Sequence, residues 1–319
     1  MLASLPSFTP ALEKPSRCPA SEYFLRFRLH TVPDHRFGAF QQAFHSLGYA
    51  EGRTVELEYR WADGHADRLA DLAADLVRLP VDIIFSAYGT PAALASRKAT
   101  SSIPIVFAGV SDAVGVGLVA SLARPGGNAT GSTFLGEETI GKQLEVLKQI
   151  APRISRVGAV VNLTNPVYGP VLRASEEPAR ALGLQLVVIS MQSAEDFEPR
   201  IRAAVRQHVG GLIVQRDSVL FINRPRLLAQ VAANRLPAIY GAREFTENGG
   251  LMSYGPDLAD MYRRAAYLID RILRGAKPSE LPVEQATRFE LVINLKAAKA
   301  LGLTIPQSVL LRAEQVIDP

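Results

Sequence analysis

Apolar positions along this chain follow two alternating rhythms. Short runs carry hydrophobes on consecutive positions, and longer stretches carry them every third or fourth residue. The first pattern marks strands buried on both faces; the second marks amphipathic helices. One strand–helix–strand unit runs through Val81-Asp82-Ile83-Ile84-Phe85, Gly89-Thr90-Pro91 and Ile103 to Gly109. A second runs through Gly211-Leu212-Ile213-Val214 and Leu236 to Ala242. The repeated cadence predicts two similar α/β lobes with a ligand-sized cleft between the carboxyl ends of their strands.

Residues 35–48 read as a helix with Phe37, Phe40, Phe44 and Leu47 on one face and Gly48 as its stop. A strand follows over 54–61, then a helix over 63–79 with Leu69, Leu72, Leu76 and Leu79 inward. Strand 81–86 precedes helix 91–100, which has Thr90 as its cap and Pro91 at its first position. After strand 104–108, Ser111 or Asp112 caps a short helix that ends before Pro125-Gly126-Gly127, which reads as a boundary. Ala129 to Phe134 is then a crossing strand, followed by helix 139–150. The second lobe reads as strand 157–161, a helix from Asn165-Pro166 to Leu182, strand 184–189, helix 195–207, strand 211–215, helix 225–235 and strand 237–240. Strand 251–254 and the amphipathic helix 257–274 complete the alternation. The predicted fold class is α/β: two doubly wound, Rossmann-like lobes with parallel sheets joined by a multi-strand hinge. Lobe 1 is placed at 35–130 and 250–283, and lobe 2 at 131–249 and 284–319, after an irregular N-terminus over 1–34. The hinge is expected at 128–134, 247–254 and about 283–289.

Composition narrows the function. The 319 residues suit two lobes, and 48% hydrophobic with 21% charged residues is ordinary globular usage. The net charge of +4 is spread over helix surfaces with no basic stripe, which argues against nucleic acid. The one cysteine, Cys18, rules out an internal disulfide or a multi-cysteine metal site. No run of about 20 apolar residues predicts a membrane span. The first 30 residues lack the basic start and apolar core of a signal peptide.

Enzyme motifs are weak. Gly115-Val116-Gly117-Leu118-Val119-Ala120 has dinucleotide-fingerprint spacing but does not open a helix directly after the first strand. Gly109-Val110-Ser111-Asp112-Ala113 lacks the second glycine of a nucleophile elbow. The histidines 30, 35, 45, 65 and 208 show no metal spacing. No catalytic residue, metal or cofactor is expected.

Residues just past parallel strands converge on the cleft, where helix N-termini present free N–H groups to anions. The ligand-binding candidates are Tyr88, Gly89, Thr90, Ser111 and Asp112 in lobe 1. In lobe 2 they are Asn162, Asn165, Asp217, Tyr240 and Glu244, and Tyr254 is added from strand 251–254. Thr90, Ser111 and Asn165 serve equally as plain helix caps. Asp112 and Asp217 can cap helices, join hinge ion pairs or bind an amino group. Glu244 reads as a surface partner of Arg243 or as a ligand contact. Tyr88 and Tyr254 are the preferred aromatic walls, whereas Trp61 and Phe245 can simply plug lobe edges.

Several motifs together resemble a known family. They are Tyr49 to Arg53, Glu58 to Gly64, Gly89-Thr90-Pro91-Ala92-Ala93, Arg124 to Gly131, Gly250 to Gly255, and Phe289 to Lys296 with Ala300 to Leu303. Over about residues 35 to 317 the chain resembles ABC transporter substrate-binding proteins of the tryptophan/aromatic-uptake type. That resemblance implies the type I periplasmic binding-protein fold and hinge closure on a small solute, an amino acid or aromatic carboxylate. It also implies an ABC permease partner, a monomer, a periplasmic or extracytoplasmic location and no chemistry on the ligand. A ligand-sensing regulatory protein on the same clamp is the alternative. Family members begin with a basic signal peptide and an apolar first strand, and residues 1–34 match neither. Tyr23 to Leu29 can stand in for the strand, but it puts Arg26 and Arg28 on one face of a doubly covered sheet. This points to a displaced start or a frame error upstream of Asp34.

Overall fold

A computed structural model describes residues 24–28, 35–62, 65–87 and 89–318. The expectations for the rest of the N-terminus, including Cys18, and for Tyr88 lie outside the described residues.

Lobe one is built from β1 (Phe24–Arg28), α1 (His35–Ser46), β2 (Glu56–Tyr59), α2 (Leu69–Val77), β3 (Ile83–Ser86), α3 (Gly89–Ala99), β4 (Ile105–Ser111) and β5 (Ala129–Phe134). The chain then crosses into lobe two. There it forms α4 (Gly136–Ile150), β6 (Arg156–Val161), α5 (Tyr168–Ala181), β7 (Gln185–Ser190), α6 (Phe197–Arg206) and β8 (Gly211–Val214). The helices α7 (Ser218–Ile222) and α8 (Arg224–Ala233), β9 (Ala238–Tyr240), α9 (Arg243–Glu247) and β10 (Met252–Pro256) follow. A second crossing returns α10 (Leu258–Leu273) and β11 (Glu284–Gln285) to lobe one. A third gives lobe two β12 (Phe289–Asn294), α11 (Leu295–Leu301), α12 (Gln307–Leu310) and β13 (Gln315–Ile317).

The sheet orders are β11-β5-β4-β3-β1-β2 and β13-β12-β10-β9-β8-β6-β7. Among the described residues every strand pairing is parallel except β10 with β12, which is antiparallel. The strand expected near Tyr23 to Leu29 therefore exists as Phe24–Arg28, seated between β2 and β3.

The first two crossings fall later than the sequence placed them, whereas the third, at 286–288, lies within the expected 283–289. β5 belongs wholly to the first sheet and β10 to the second, while β11 returns to the first. The Pro125-Gly126-Gly127 run lies within lobe one, because the Asn128 side chain after it donates to the carbonyls of Thr100 (3.1 Å) and Ile103 (2.7 Å). No helix follows Ser111. Asp112 takes a left-handed φ of 47° and its carboxylate accepts from Gly115 N at 2.9 Å, closing a turn. Gly115 to Ala120 is turn as well, so the dinucleotide-like spacing has no helix to open.

Lobe one packs around aromatic rings. Phe40 on α1 is fully buried and stacks on Phe37 at 5.8 Å, Phe44 at 5.1 Å and Phe85 of β3 at 5.0 Å. α10 covers the same face, and Tyr49 is bonded to Asp270 of α10 at 3.0 Å. In lobe two, α4, α5 and α11 cover one side of the sheet, and α6, α7 and α8 the other. β10 must pass close to the loop after β9. A Cβ on Gly255 would lie 2.4 Å from the Gly241 carbonyl oxygen, so only glycine permits this approach beside the second crossing.

Candidate functional site

The carboxyl ends of β3 and β4 face those of β6, β8 and β9 across a cleft of about 1160 Å³, part of it open to solvent, and both lobes line it. That placement follows from right-handed parallel winding, which delivers each strand into a loop at one edge of the sheet.

On the lobe-one side α3 opens with Gly89, whose φ of 68° turns the chain sharply off β3, and continues with Thr90 and Pro91. The first turn of a helix has N–H groups with no intrahelical partner, and its dipole favours an anion there. The Thr90 hydroxyl accepts from Ser111 N at 3.2 Å and so ties α3 to the end of β4. The Ser111 hydroxyl is buried, lines the cleft and makes no hydrogen bond among the described residues.

On the lobe-two side Asp217 caps α7. Its Oδ1 accepts from Val219 N at 2.9 Å and from Asn162 Nδ2 at 3.3 Å. Burial pushes the Asp217 carboxyl up to about 6, against the lowering effect of these same bonds. Asn162 is held in turn, its Oδ1 accepting from the Thr164 amide (3.1 Å) and hydroxyl (2.7 Å). Asn165 Oδ1 accepts from Val167 N at 3.3 Å, which turns the chain into α5. Below them Gln215 donates to Gln143 at 2.6 Å, and Gln143 donates to the Tyr254 carbonyl at 2.8 Å. This chain of amides locks β8, α4 and β10 together under the floor of the cleft.

The walls are apolar and aromatic: Leu69 and Pro91 from lobe one, Phe134 at the first crossing, and Val167, Tyr168 and Phe221 from lobe two. Tyr168 donates its hydroxyl to the Arg216 carbonyl. The Arg216 guanidinium lies 5.8 Å from the Phe134 ring centre. The Phe221 ring has Arg36 at 4.9 Å and Arg224 at 4.7 Å. The cleft thus combines cations, one buried carboxylate, a helix N-terminus and aromatic surface. Among the described residues no group of His, Cys, Asp and Glu could hold a metal.

Six of the sequence candidates line this cleft: Gly89, Thr90, Ser111, Asn162, Asn165 and Asp217. Four others do not. Asp112 is occupied in its own turn. Tyr240 is 1% exposed and stacks on Phe245 at 4.9 Å inside the lobe-two core, because its side of β9 faces helices. Glu244 lines a smaller neighbouring cavity of about 300 Å³. Tyr254 stacks on Phe289 at 5.7 Å, on the antiparallel pair beside the hinge. Trp61 stacks on Tyr59 at 5.8 Å at the lobe-one edge.

Sequence reasoning missed Arg36, His65, Phe134, Tyr168 and Phe221 as lining residues. A readable signal existed for Tyr168 and Phe221, which sit in the helices that follow β6 and β8, as Thr90 sits in α3 after β3.

Comparisons with known proteins agree with the two-lobed fold. The tyrosine-binding protein of Clostridioides difficile (strain R20291) is 26% identical over 275 residues, which is 86% of this chain and 78% of that protein. The solved ABC domain from Streptococcus pneumonia in complex with L-Trp superposes with a TM-score of 0.85 at 26% identity, covering 92% of this chain and 99% of that one. A conserved domain protein from Vibrio cholerae gives a TM-score of 0.83 at 28% identity over 92% and 99% of the two chains. The two-lobed architecture is the type I periplasmic binding-protein fold. The family model described as ABC transporter substrate binding protein matches residues 29–317, and the chain belongs to that family.

Proposed function

We propose that this protein is the solute-binding component of an ABC importer, working outside the cytoplasmic membrane, and that its solute is an aromatic L-amino acid. The observation that carries the reading is the composition of the cleft. One buried carboxylate, Asp217, faces a helix N-terminus and an unbonded serine hydroxyl between aromatic walls. Those groups match the three parts of the solute. The ammonium goes to Asp217 and the carboxylate to the first turn of α3 with Ser111. The side chain goes between Phe134, Tyr168 and Phe221, where each ring pair adds about 0.5–1.5 kcal/mol beyond its area burial. Relatives described as binding tyrosine or L-Trp support the same class.

The ligand has contacts in both lobes, so it favours the closed form over the open one, and the difference drives closure. A closed clamp then presents both lobes to a membrane permease.

A thermal-shift screen tests this. L-tryptophan, L-tyrosine and L-phenylalanine are expected to raise the melting temperature, because a ligand that binds only the native state adds RT ln(1 + [L]/Kd) to stability. Indole-3-propionate and phenylpropionate, which lack the ammonium, are expected to give no shift at the same concentration. Equal shifts from the amino-free analogues, or none from any amino acid, would contradict the reading.

A further inference from the structure

Arg36 starts in one lobe and ends in the other. It is the second residue of α1, in lobe one, yet its Nε lies 3.6 Å from Oε1 of Glu244 on α9 of lobe two. Its guanidinium carbon is 4.9 Å from the ring centre of Phe221, also in lobe two. Both side chains are nearly buried, at 6% and 11% exposure. Arg36 forms part of the wall of the main cleft and of the smaller cavity that holds Glu244, Arg243 and Glu290. Glu244 Oε1 accepts no hydrogen bond, since 3.6 Å is beyond N–H···O reach.

We propose that Arg36, pairing with Glu244 and stacking on Phe221, is an interlobe latch that sets how much of the ligand-free protein is closed. A buried ion pair roughly breaks even against the hydration of its separated charges. The stack on Phe221 supplies the surplus, since a desolvated guanidinium over a ring is net favourable. Such a latch biases the open–closed equilibrium without locking it. Affinity follows, because the apparent Kd is the intrinsic Kd divided by the closed fraction. Only this last consequence rests on the cleft being the solute site.

Removing one partner should cost more than removing both. In Arg36→Met the closed form buries Glu244 without this cation, and in Glu244→Gln the attraction between the lobes loses its negative charge. The double variant Arg36→Met/Glu244→Leu buries neither charge, so it should recover part of the loss.

Small-angle X-ray scattering of the ligand-free proteins reads the equilibrium directly and needs no knowledge of the solute. Both single variants are expected to show a larger radius of gyration than the parent, and the double variant an intermediate one. With L-tryptophan saturating, all four should converge on the compact value, with the Kd of each single variant raised about tenfold or more. If Arg36→Met fails to fold, Glu244→Gln on the other lobe decides alone. Ligand-free scattering curves that superimpose on the parent's would overturn the latch. Failure of any amino acid to bind would overturn the solute reading and leave the ligand-free comparison standing.

Discussion

Asp217→Asn is expected to abolish aromatic amino-acid binding and, at neutral pH, to stabilise the empty protein. The substitution is close to isosteric. Oδ1 still accepts from Val219 N and Asn162 Nδ2, so the cap on α7 survives. What disappears is the negative charge, and a buried ligand ammonium then has no counter-ion. Breaking a buried pair in that way costs about 3–5 kcal/mol, or roughly two to three and a half orders of magnitude in Kd.

The stability effect has the opposite sign. Asp217 titrates at about 6 in the folded protein, above its unfolded value of 3.8, because burial disfavours its charged form. Between those values the folded state binds more protons than the unfolded one, so stability falls as pH rises through that window. Above about pH 6 the whole penalty is present, and a displacement of about two pH units corresponds to on the order of 3 kcal/mol. Asparagine removes it. Urea titrations at pH 7.5 should show Asp217→Asn more stable than the parent, with the difference gone below about pH 4. Ligand binding to the parent should weaken about tenfold per pH unit below 6, as the carboxylate must lose its proton first. A variant that binds L-tryptophan as the parent does would remove Asp217 from the site.

The second large effect concerns the frame that carries the cleft. Phe40→Ala is expected to destabilise lobe one by about 3–5 kcal/mol, the usual cost of emptying a buried phenylalanine site. Phe40 meets three rings from two elements, so no single neighbour can collapse into the space. Whole domains have only about 5–15 kcal/mol of stability. A urea titration should therefore show the midpoint falling sharply, or lobe one melting ahead of lobe two. Phe40 lies one turn after Arg36 on α1, so the variant should also loosen the contact between lobes. A loss below about 1 kcal/mol would mean that lobe one is not organised around this cluster.

These effects show which layers of the structure the sequence exposes. Strands such as β3, β4 and β8 are apolar on consecutive positions and buried throughout, and that pattern alone predicts parallel sheets under helices. Six cleft-lining candidates were legible because the carboxyl ends of parallel strands carry the residues that follow them toward the cleft, although Asp112 is taken up by its own turn. The hinge was harder. Its first two crossings run through short stretches at Leu135 and Asp257 that composition does not mark, while the third, at 286–288, lies within the expected 283–289. The conspicuous Pro-Gly-Gly run turns the chain inside lobe one, where Asn128 pins it. The antiparallel pairing of β10 with β12 leaves no trace in alternation, so Tyr254 was assigned to the cleft when it stacks beside the hinge. Tyr240 failed for a different reason. β9 has only three residues, all buried, and one step along a strand exchanges cleft for core. Arg36 was invisible because its partners, Glu244 and Phe221, are distant in sequence and belong to the other lobe.

The most direct test is a crystal structure of the protein grown with L-tryptophan. The ligand should lie between the lobes, its ammonium within hydrogen-bonding distance of Asp217 Oδ2 and its carboxylate at the first turn of α3. Its indole ring should lie among Phe134, Tyr168 and Phe221. Ligand density outside this cleft, or an ammonium held by groups other than Asp217, would contradict the assignment.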